Sequence, residues 1–231
     1  MKPYQAILFD LDGTLLPMDL EVYTKAYLRL LSAQFAPGRE AEFGKSVWEA
    51  TYAMVFNDGS RTNEACFWEK FATLEGPQVL EQKEEYEQFY RTGFHAAKAF
   101  CGENPLARDM LALAHTRAEK VVLATNPLYP ISAVQSRLSW VGLDQKDFDY
   151  LTTYDNSYLC KPAAGYYRRI CEELDAAPEA CLMIGNDLHE DAWGASQIGM
   201  PSYIVTDCLI SHGENLADWR HMTFSELLEA L

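Results

Sequence analysis

The first fifteen residues constrain the fold more than any other stretch. Within YQAILFDLDGTL, from Tyr4 to Leu15, the apolar run Ala6-Ile7-Leu8-Phe9 ends abruptly in Asp10 and Asp12, followed by Gly13 and Thr14. A short, wholly apolar run of this kind reads as a buried strand running out into a charged loop. Strand residues two apart point the same way, so both carboxylates converge on one point if the chain stays extended through Leu11. That geometry suits a metal and a phosphate. The competing reading, a hairpin turn at Asp12-Gly13, weakens because Leu15-Leu16-Pro17 leads into a helical pattern rather than a second alternating strand.

Four helical patterns follow without a strand among them. Asp19 is placed to cap the first, in which Tyr23, Ala26, Tyr27, Leu30, Leu31 and Phe35 recur at three- and four-residue steps. Pro37-Gly38 stops it. The second carries Phe43, Val47, Ala50 and Met54 on one face and ends near Asn57-Asp58-Gly59; the third runs through Phe67, Trp68 and Phe71 to Gly76-Pro77. The fourth holds Leu80, Tyr86, Phe89, Tyr90 and Phe94. Such an insert is expected to pack as its own small bundle. Its aromatics, Trp48, Tyr52 and Phe56 included, are read as core rather than as a ligand box on ordinary burial statistics.

From Pro105 the rhythm becomes strand and helix in alternation. Strands are expected at Lys120–Ala124, Phe148–Thr152, Cys181–Ile184 and Pro201–Val205, and helices at Leu106–Arg117, Ile131–Val141, Ala163–Leu174, from Asp187 through Ile198, and at Phe224–Ala230. This alternation implies a parallel sheet with right-handed crossovers, whose ligands sit at the carboxyl edge where strand order reverses. The polar clusters at Asp10, Thr125 and Asp187 each follow a buried strand, so they are expected to share that edge.

Bulk properties narrow the partners. Nineteen Lys and Arg against 34 Asp and Glu give a net charge of −15, which argues against nucleic acid, since phosphate backbones call for a basic face. Attraction of an anionic substrate has to be local, from a divalent cation and one or two lysines in a cleft. No stretch approaches the ~18 apolar residues of a membrane span, and MKPYQ lacks a signal-peptide core; the expected location is the cytoplasm. Six cysteines without CxxC spacing read as reduced, mostly buried thiols.

Thr125 and Asn126 offer a hydroxyl and backbone N–H groups suited to phosphoryl oxygens. Lys161, just before the helix-starting Pro162, is a cation placed to sit between acids and a phosphate. In Gly185-Asn186-Asp187-Leu188-His189-Glu190-Asp191 the acids four apart either complement a helix dipole or supply oxygen ligands to Mg²⁺; His189 reads as exposed or capping. Taken alone, Thr125 and Lys161 are more often structural or surface residues.

Taken together, DLDGT at Asp10–Thr14, LATN at Leu123–Asn126, CKP at Cys160–Pro162 and IGNDLHED at Ile184–Asp191 make the chain resemble the haloacid dehalogenase-like hydrolase superfamily over nearly its full length. The resemblance implies an α/β fold, a Rossmann-like doubly wound parallel sheet from residues 1–16 and 105–231, with an all-helical cap domain at 17–104. It further implies Asp10 as nucleophile, Asp12 as general acid/base, Thr125 holding the phosphoryl group, with Thr14 and Asn126 beside it, and Lys161 neutralising charge. Mg²⁺ would be held by Asp10, the backbone carbonyl of Asp12 and the acidic cluster. This chain departs from the family pattern at Asn186, where an Asp usually follows the glycine. Either Asn186 supplies an amide oxygen, or Asp187 takes the metal with Asp191 holding its waters; Asp187 is favoured, because an anion binds Mg²⁺ better than an amide.

The implied activity is Mg²⁺-dependent hydrolysis of a small phosphorylated metabolite through an aspartyl-phosphate, in which Asp12 enters the first step protonated and its pKa is therefore expected above ~3.9. Phosphomutase chemistry and a non-catalytic phosphate-binding role are the alternatives. Dehalogenation is disfavoured, since a halide needs no acid to leave. Specificity is assigned to the cap, with Arg61, Lys45 and the cap aromatics as candidates.

Overall fold

The structure is a computed structural model and describes residues 2–231. Six strands form one parallel sheet in the order β3-β2-β1-β4-β5-β6. They are β1 (Tyr4–Phe9), β2 (Ala118–Leu123), β3 (Tyr150–Leu151), β4 (Cys181–Gly185), β5 (Ser202–Val205) and β6 (His221–Met222). The chain builds outward from β1 through β2 to β3, then returns to the centre and builds the other way from β4. Strand order thus reverses between β1 and β4, where the loops part and leave a crevice.

Two-residue alternation sorts the strands' side chains between two layers. Ile7, Phe9, Val121, Leu123, Leu182 and Ile184 pack on one face with the helices α5 (Ala107–Arg117) and α6 (Ile131–Trp140) and the C-terminal helix (Phe224–Ala230). Ala6, Leu8, Val122, Cys181 and Met183 pack on the other against α7 (Ala164–Leu174). Both faces are covered, which is why the strands read as continuous apolar runs.

The segment between β1 and β2 holds α1 (Leu20–Phe35), α2 (Glu40–Val55), α3 (Asn63–Glu75) and α4 (Lys83–Arg91). Asp19 caps α1 by accepting from the Val22 amide at 3.0 Å. The single fourth helix expected from the sequence is broken: 3₁₀ turns at Pro77–Leu80 and Gly93–Phe100 flank α4. The buried side chains of these helices belong to the same apolar cluster as the first sheet face, so the insert is anchored in the main core rather than isolated from it.

Three other expectations change. β3 is only two residues long, and β6 was not anticipated, because His221 and Met222 are too few to show a period. The helix expected from Asp187 through Ile198 opens as a wide π-type turn, Leu188–Trp193, before the short helix Gly194–Ser196. Trp48, Tyr52 and Phe56 are not core: they are 43%, 45% and 78% exposed. Their four-residue spacing puts them on one stripe of α2 and its C-terminal cap, beside the stripe of Phe43, Val47, Ala50 and Met54 that is buried. Of the six cysteines, all free, four are buried. No described helix is long and apolar enough to cross a membrane.

Candidate active site

The loops that follow β1, β2 and β4 meet at the crevice. β1 lies between its neighbours, the Asp10 amide donating to Ile184 (2.8 Å) and the Ala124 amide to Phe9 (2.7 Å). These bonds bring Asp10, Thr125 and Asn186, each just beyond a strand, to a common edge. Extension does not persist through Leu11 as expected. The Leu11 carbonyl accepts from the Thr14 amide at 3.2 Å and the Leu16 amide at 2.8 Å, so the chain turns at once.

The two carboxylates therefore take different partners. Asp10 Oδ1 accepts from Lys161 Nζ at 2.8 Å. Asp12 Oδ2 pairs with the guanidinium of Arg137 on α6, a side chain with no exposure to solvent. Arg137 also lies 4.2 Å from the Tyr129 ring and donates to the Ala133 carbonyl at 3.3 Å. Asp12 Oδ1, on the other side, is buried with no hydrogen-bond partner.

Lys161 is enclosed as well, and its second bond goes to Asp191 Oδ1 at 2.6 Å. Burial works against the ammonium, yet Asp10 and Asp191 outweigh it and hold its pKa well above the ordinary lysine value. Burial pushes the Asp10 carboxyl the other way, up to about 7, against the pull of Lys161 and with Asp191 and Asp12 adding repulsion. Asp191 Oδ2 accepts from the amides of Asn186 and Asp187, both at 3.0 Å, and so ties the turn after β4 to Lys161. Gly185 permits this: a Cβ there would sit 2.1 Å from Asp191 Oδ2.

Asn186 and Asp187 take different partners. Both Asp187 oxygens are engaged away from Asp10, Oδ1 by the amides of His189 (2.8 Å) and Glu190 (2.9 Å) as a helix cap, Oδ2 by His212 Nε2 (3.1 Å). Asn186 instead faces the end of β1, its Oδ1 accepting from Thr14 Oγ1 at 3.0 Å, with that hydroxyl 3.4 Å from Asp10 Oδ2. Gly13, at φ +92°, makes room, since a Cβ would fall 2.2 Å from Asn186 Nδ2.

Thr125 is buried at the floor of the cleft, its carbonyl held by Thr152 Oγ1 (2.7 Å) and the Tyr166 hydroxyl (2.9 Å). Asn126 donates through Nδ2 to Glu190 Oε1 at 2.9 Å, and burial pushes the Glu190 carboxyl up to about 8. His189 lies at the surface against Trp193 and Glu214. Among the described residues no three His, Cys, Asp or Glu side chains converge closely enough to ligate a metal by themselves. Arg61 and Lys45 do not line the cleft and pair with Glu69 and Glu49. Arg137 escaped the sequence reading. The available signal was a basic residue on the apolar face of a helix, three residues after Val134 and just before Leu138.

Comparison with known proteins places these features. The family model for haloacid dehalogenase-like hydrolases matches residues 4–199. A curated relative, the phospholysine phosphohistidine inorganic pyrophosphate phosphatase of Xenopus laevis, is 32% identical over 65 residues, 28% of this chain and only 24% of that protein. Among solved structures, the HAD-hydrolase YfnB of Bacillus subtilis, bound to magnesium, is 19% identical with a TM-score of 0.61 over 100% of this chain and 99% of its own. CbbY of Rhodobacter sphaeroides, in complex with phosphate, is 20% identical (TM-score 0.61; 97% and 96% covered). The 2-haloacid dehalogenase of Pseudomonas syringae is 18% identical (TM-score 0.63; 98% and 97% covered). At such identities the structural likeness speaks for the fold alone.

Proposed function

The chain belongs to the haloacid dehalogenase-like hydrolase family, and from that premise we propose that it is a Mg²⁺-dependent phosphatase acting on a small phosphate monoester through an aspartyl-phosphate on Asp10. The observation that carries this reading is the pairing of Asp10 with an enclosed Lys161 at the edge where strand order reverses. A buried cation there offsets the repulsion between a carboxylate nucleophile and a phosphate dianion.

The groups that would hold a hard cation are the Asp10 carboxylate, the Asp12 main-chain carbonyl and the Asn186 amide, all oxygen donors. With only one or two anionic ligands, such a set agrees with Mg²⁺, which keeps several waters. When bound, the ion would neutralise charge on the phosphoryl oxygens.

In the first step an Asp10 oxygen attacks phosphorus in line, the bond from phosphorus to the ester oxygen breaks, and Asp12 gives that oxygen a proton. In the second, water attacks the aspartyl-phosphate and loses its proton to Asp12, which restores Asp10 and releases phosphate. Arg137 fixes one Asp12 oxygen and leaves Oδ1 without a protein partner. Thr125 and Lys161 hold the phosphoryl group. An acid two residues after the nucleophile supports ester cleavage over halide displacement. Residues 17–104 act as a cap over the edge and exclude water.

The test is phosphate release from a panel of phosphate monoesters with and without Mg²⁺, for the natural chain and Asp10→Asn. Turnover that needs Mg²⁺ and falls by several orders of magnitude in a folded Asp10→Asn protein supports the reading. Near-normal turnover in that variant removes Asp10 as the nucleophile.

A further inference from the structure

The cleft that opens from Asp10 has a volume of about 1830 Å³, beyond the ~300–1,000 Å³ usual for a small-molecule site. Its walls rise from α1 and α2 and are apolar: Leu20, Val22, Trp48, Tyr52 and Phe100 line it while remaining 37–48% exposed. Trp48 and Tyr52 meet edge to face with centroids 5.4 Å apart, and Phe56 stacks on Tyr52 at 5.9 Å, so the aromatic stripe borders the cleft with part of each ring still exposed. Apolar side chains left this exposed along a concave surface mark a binding groove.

The charges around that groove have one sign. Apart from the acids of the floor, Asp19, Glu21, Glu87 and Asp207 line the cleft, against one lysine, Lys25, and one histidine, His212. Lys25 is already paired with Glu21, and His212 with Asp187. The enclosed cations Lys161 and Arg137 are bound to acids at the floor, where the phosphoryl group would sit. A second phosphate or a carboxylate farther up the wall would find carboxylates and no free cation among the lining residues, which is repulsion against the wrong ligand.

We propose that the substrate is a monoester with a single phosphoryl group and a large, flat, apolar leaving group bearing no second anion, its ring seated on Trp48 and Tyr52. The proposal rests on the phosphatase reading above and names the substrate class of that same site.

Three phosphates whose alcohols are of similar acidity test it: ethyl phosphate, 2-(2-naphthyl)ethyl phosphate, and the latter with a carboxylate on the distal ring. With Mg²⁺ present, kcat/KM for the naphthylethyl ester is expected to exceed that for ethyl phosphate at least about 30-fold, within the range one apolar pocket can discriminate. The distal carboxylate is expected to remove at least about tenfold of that gain. Trp48→Ala/Tyr52→Ala, at two exposed positions, is expected to shrink the naphthylethyl-to-ethyl ratio at least about tenfold, mainly through KM, with circular dichroism unchanged. A ratio near one, a faster carboxylate ester, or a ratio indifferent to the double substitution overturns the inference and leaves the phosphatase reading standing. Absence of turnover with all three esters overturns the inference, and only absence of turnover across the wider panel of monoesters overturns the phosphatase reading as well.

Discussion

On the floor of the cleft, Asp10, Asp12 and Asp191 are each tied to an enclosed cation, Lys161 for the first and last and Arg137 for the other. On the wall, Trp48 meets Tyr52, Tyr52 stacks on Phe56, and Trp48 and Tyr52 remain 43% and 45% exposed. The floor is assembled from chain segments far apart in sequence, and its two cations have no exposure to water, so the loss of either leaves its carboxylates without their partner. The aromatic part of the wall is one stripe of α2, whose side chains lie outside the buried face of that helix. On the proposed function, chemistry is thereby bound to folding, whereas the proposed selectivity rests where substitution is cheap.

The sharpest way to break this contrast is at Arg137. Replacing it with Leu strands the Asp12 carboxylate, and denaturant unfolding is expected to show a loss of about 3–5 kcal/mol. Asp12→Ala/Arg137→Leu should recover part of that loss, and a double-mutant cycle measures the coupling. Strictly additive losses would mean that the pair does not hold the floor together.

Lys161→Met is the corresponding change beside Asp10, the proposed nucleophile. Turnover is expected to fall about 10²–10³-fold, the usual effect of losing one fixed electrostatic partner of the transition state. Steady-state kinetics with Mg²⁺ read it, and a change in KM alone would place Lys161 in substrate binding rather than in chemistry.

A smaller effect follows from the acids whose folded pKa values are raised. Asp10, pushed up to about 7, and Glu190, pushed up to about 8, bind protons in the folded state that the unfolded chain has already released. Stability is therefore full below about pH 4 for these two groups and is lost as pH rises through 7 and 8. Metal-free protein should show a falling Tm from pH 5 to pH 9, and Glu190→Gln should flatten the upper part of that decline. A Tm that climbs with pH across this range would contradict the assignment.

The wall should answer least. Trp48→Ala is expected to change stability by under about 0.5 kcal/mol, because the ring is largely outside the core. A loss of several kcal/mol would show that the wall is structural after all and erase the contrast.

Much of this was legible in the chain itself. Ala6–Phe9, Val121–Ala124 and Cys181–Ile184 are fully buried runs, and such runs can only be central strands of a sheet covered on both faces. The polar residues that end them had to fall on one edge. Local pattern was insufficient at two kinds of place. Trp48, Tyr52 and Phe56 look like core by residue type, and only the neighbouring stripe of α2 reveals which face the main core took. β6 and the π-type turn after Asp187 are set by pairing and by bonds to Asp191, which carry no periodic signal.

By itself, then, the sequence determined the sheet, its carboxyl edge and the acids, amides and lysine gathered there, because burial imposes periods that survive in one dimension. The tertiary structure alone decided that Asp10 and Asp12 part to Lys161 and Arg137, that Asn186 rather than Asp187 turns toward the end of β1, and that an aromatic stripe borders the cleft. Those outcomes depend on which distant side chain reaches a given atom first. A contact 125 residues away in the chain, such as that between Asp12 and Arg137, leaves no trace in local order.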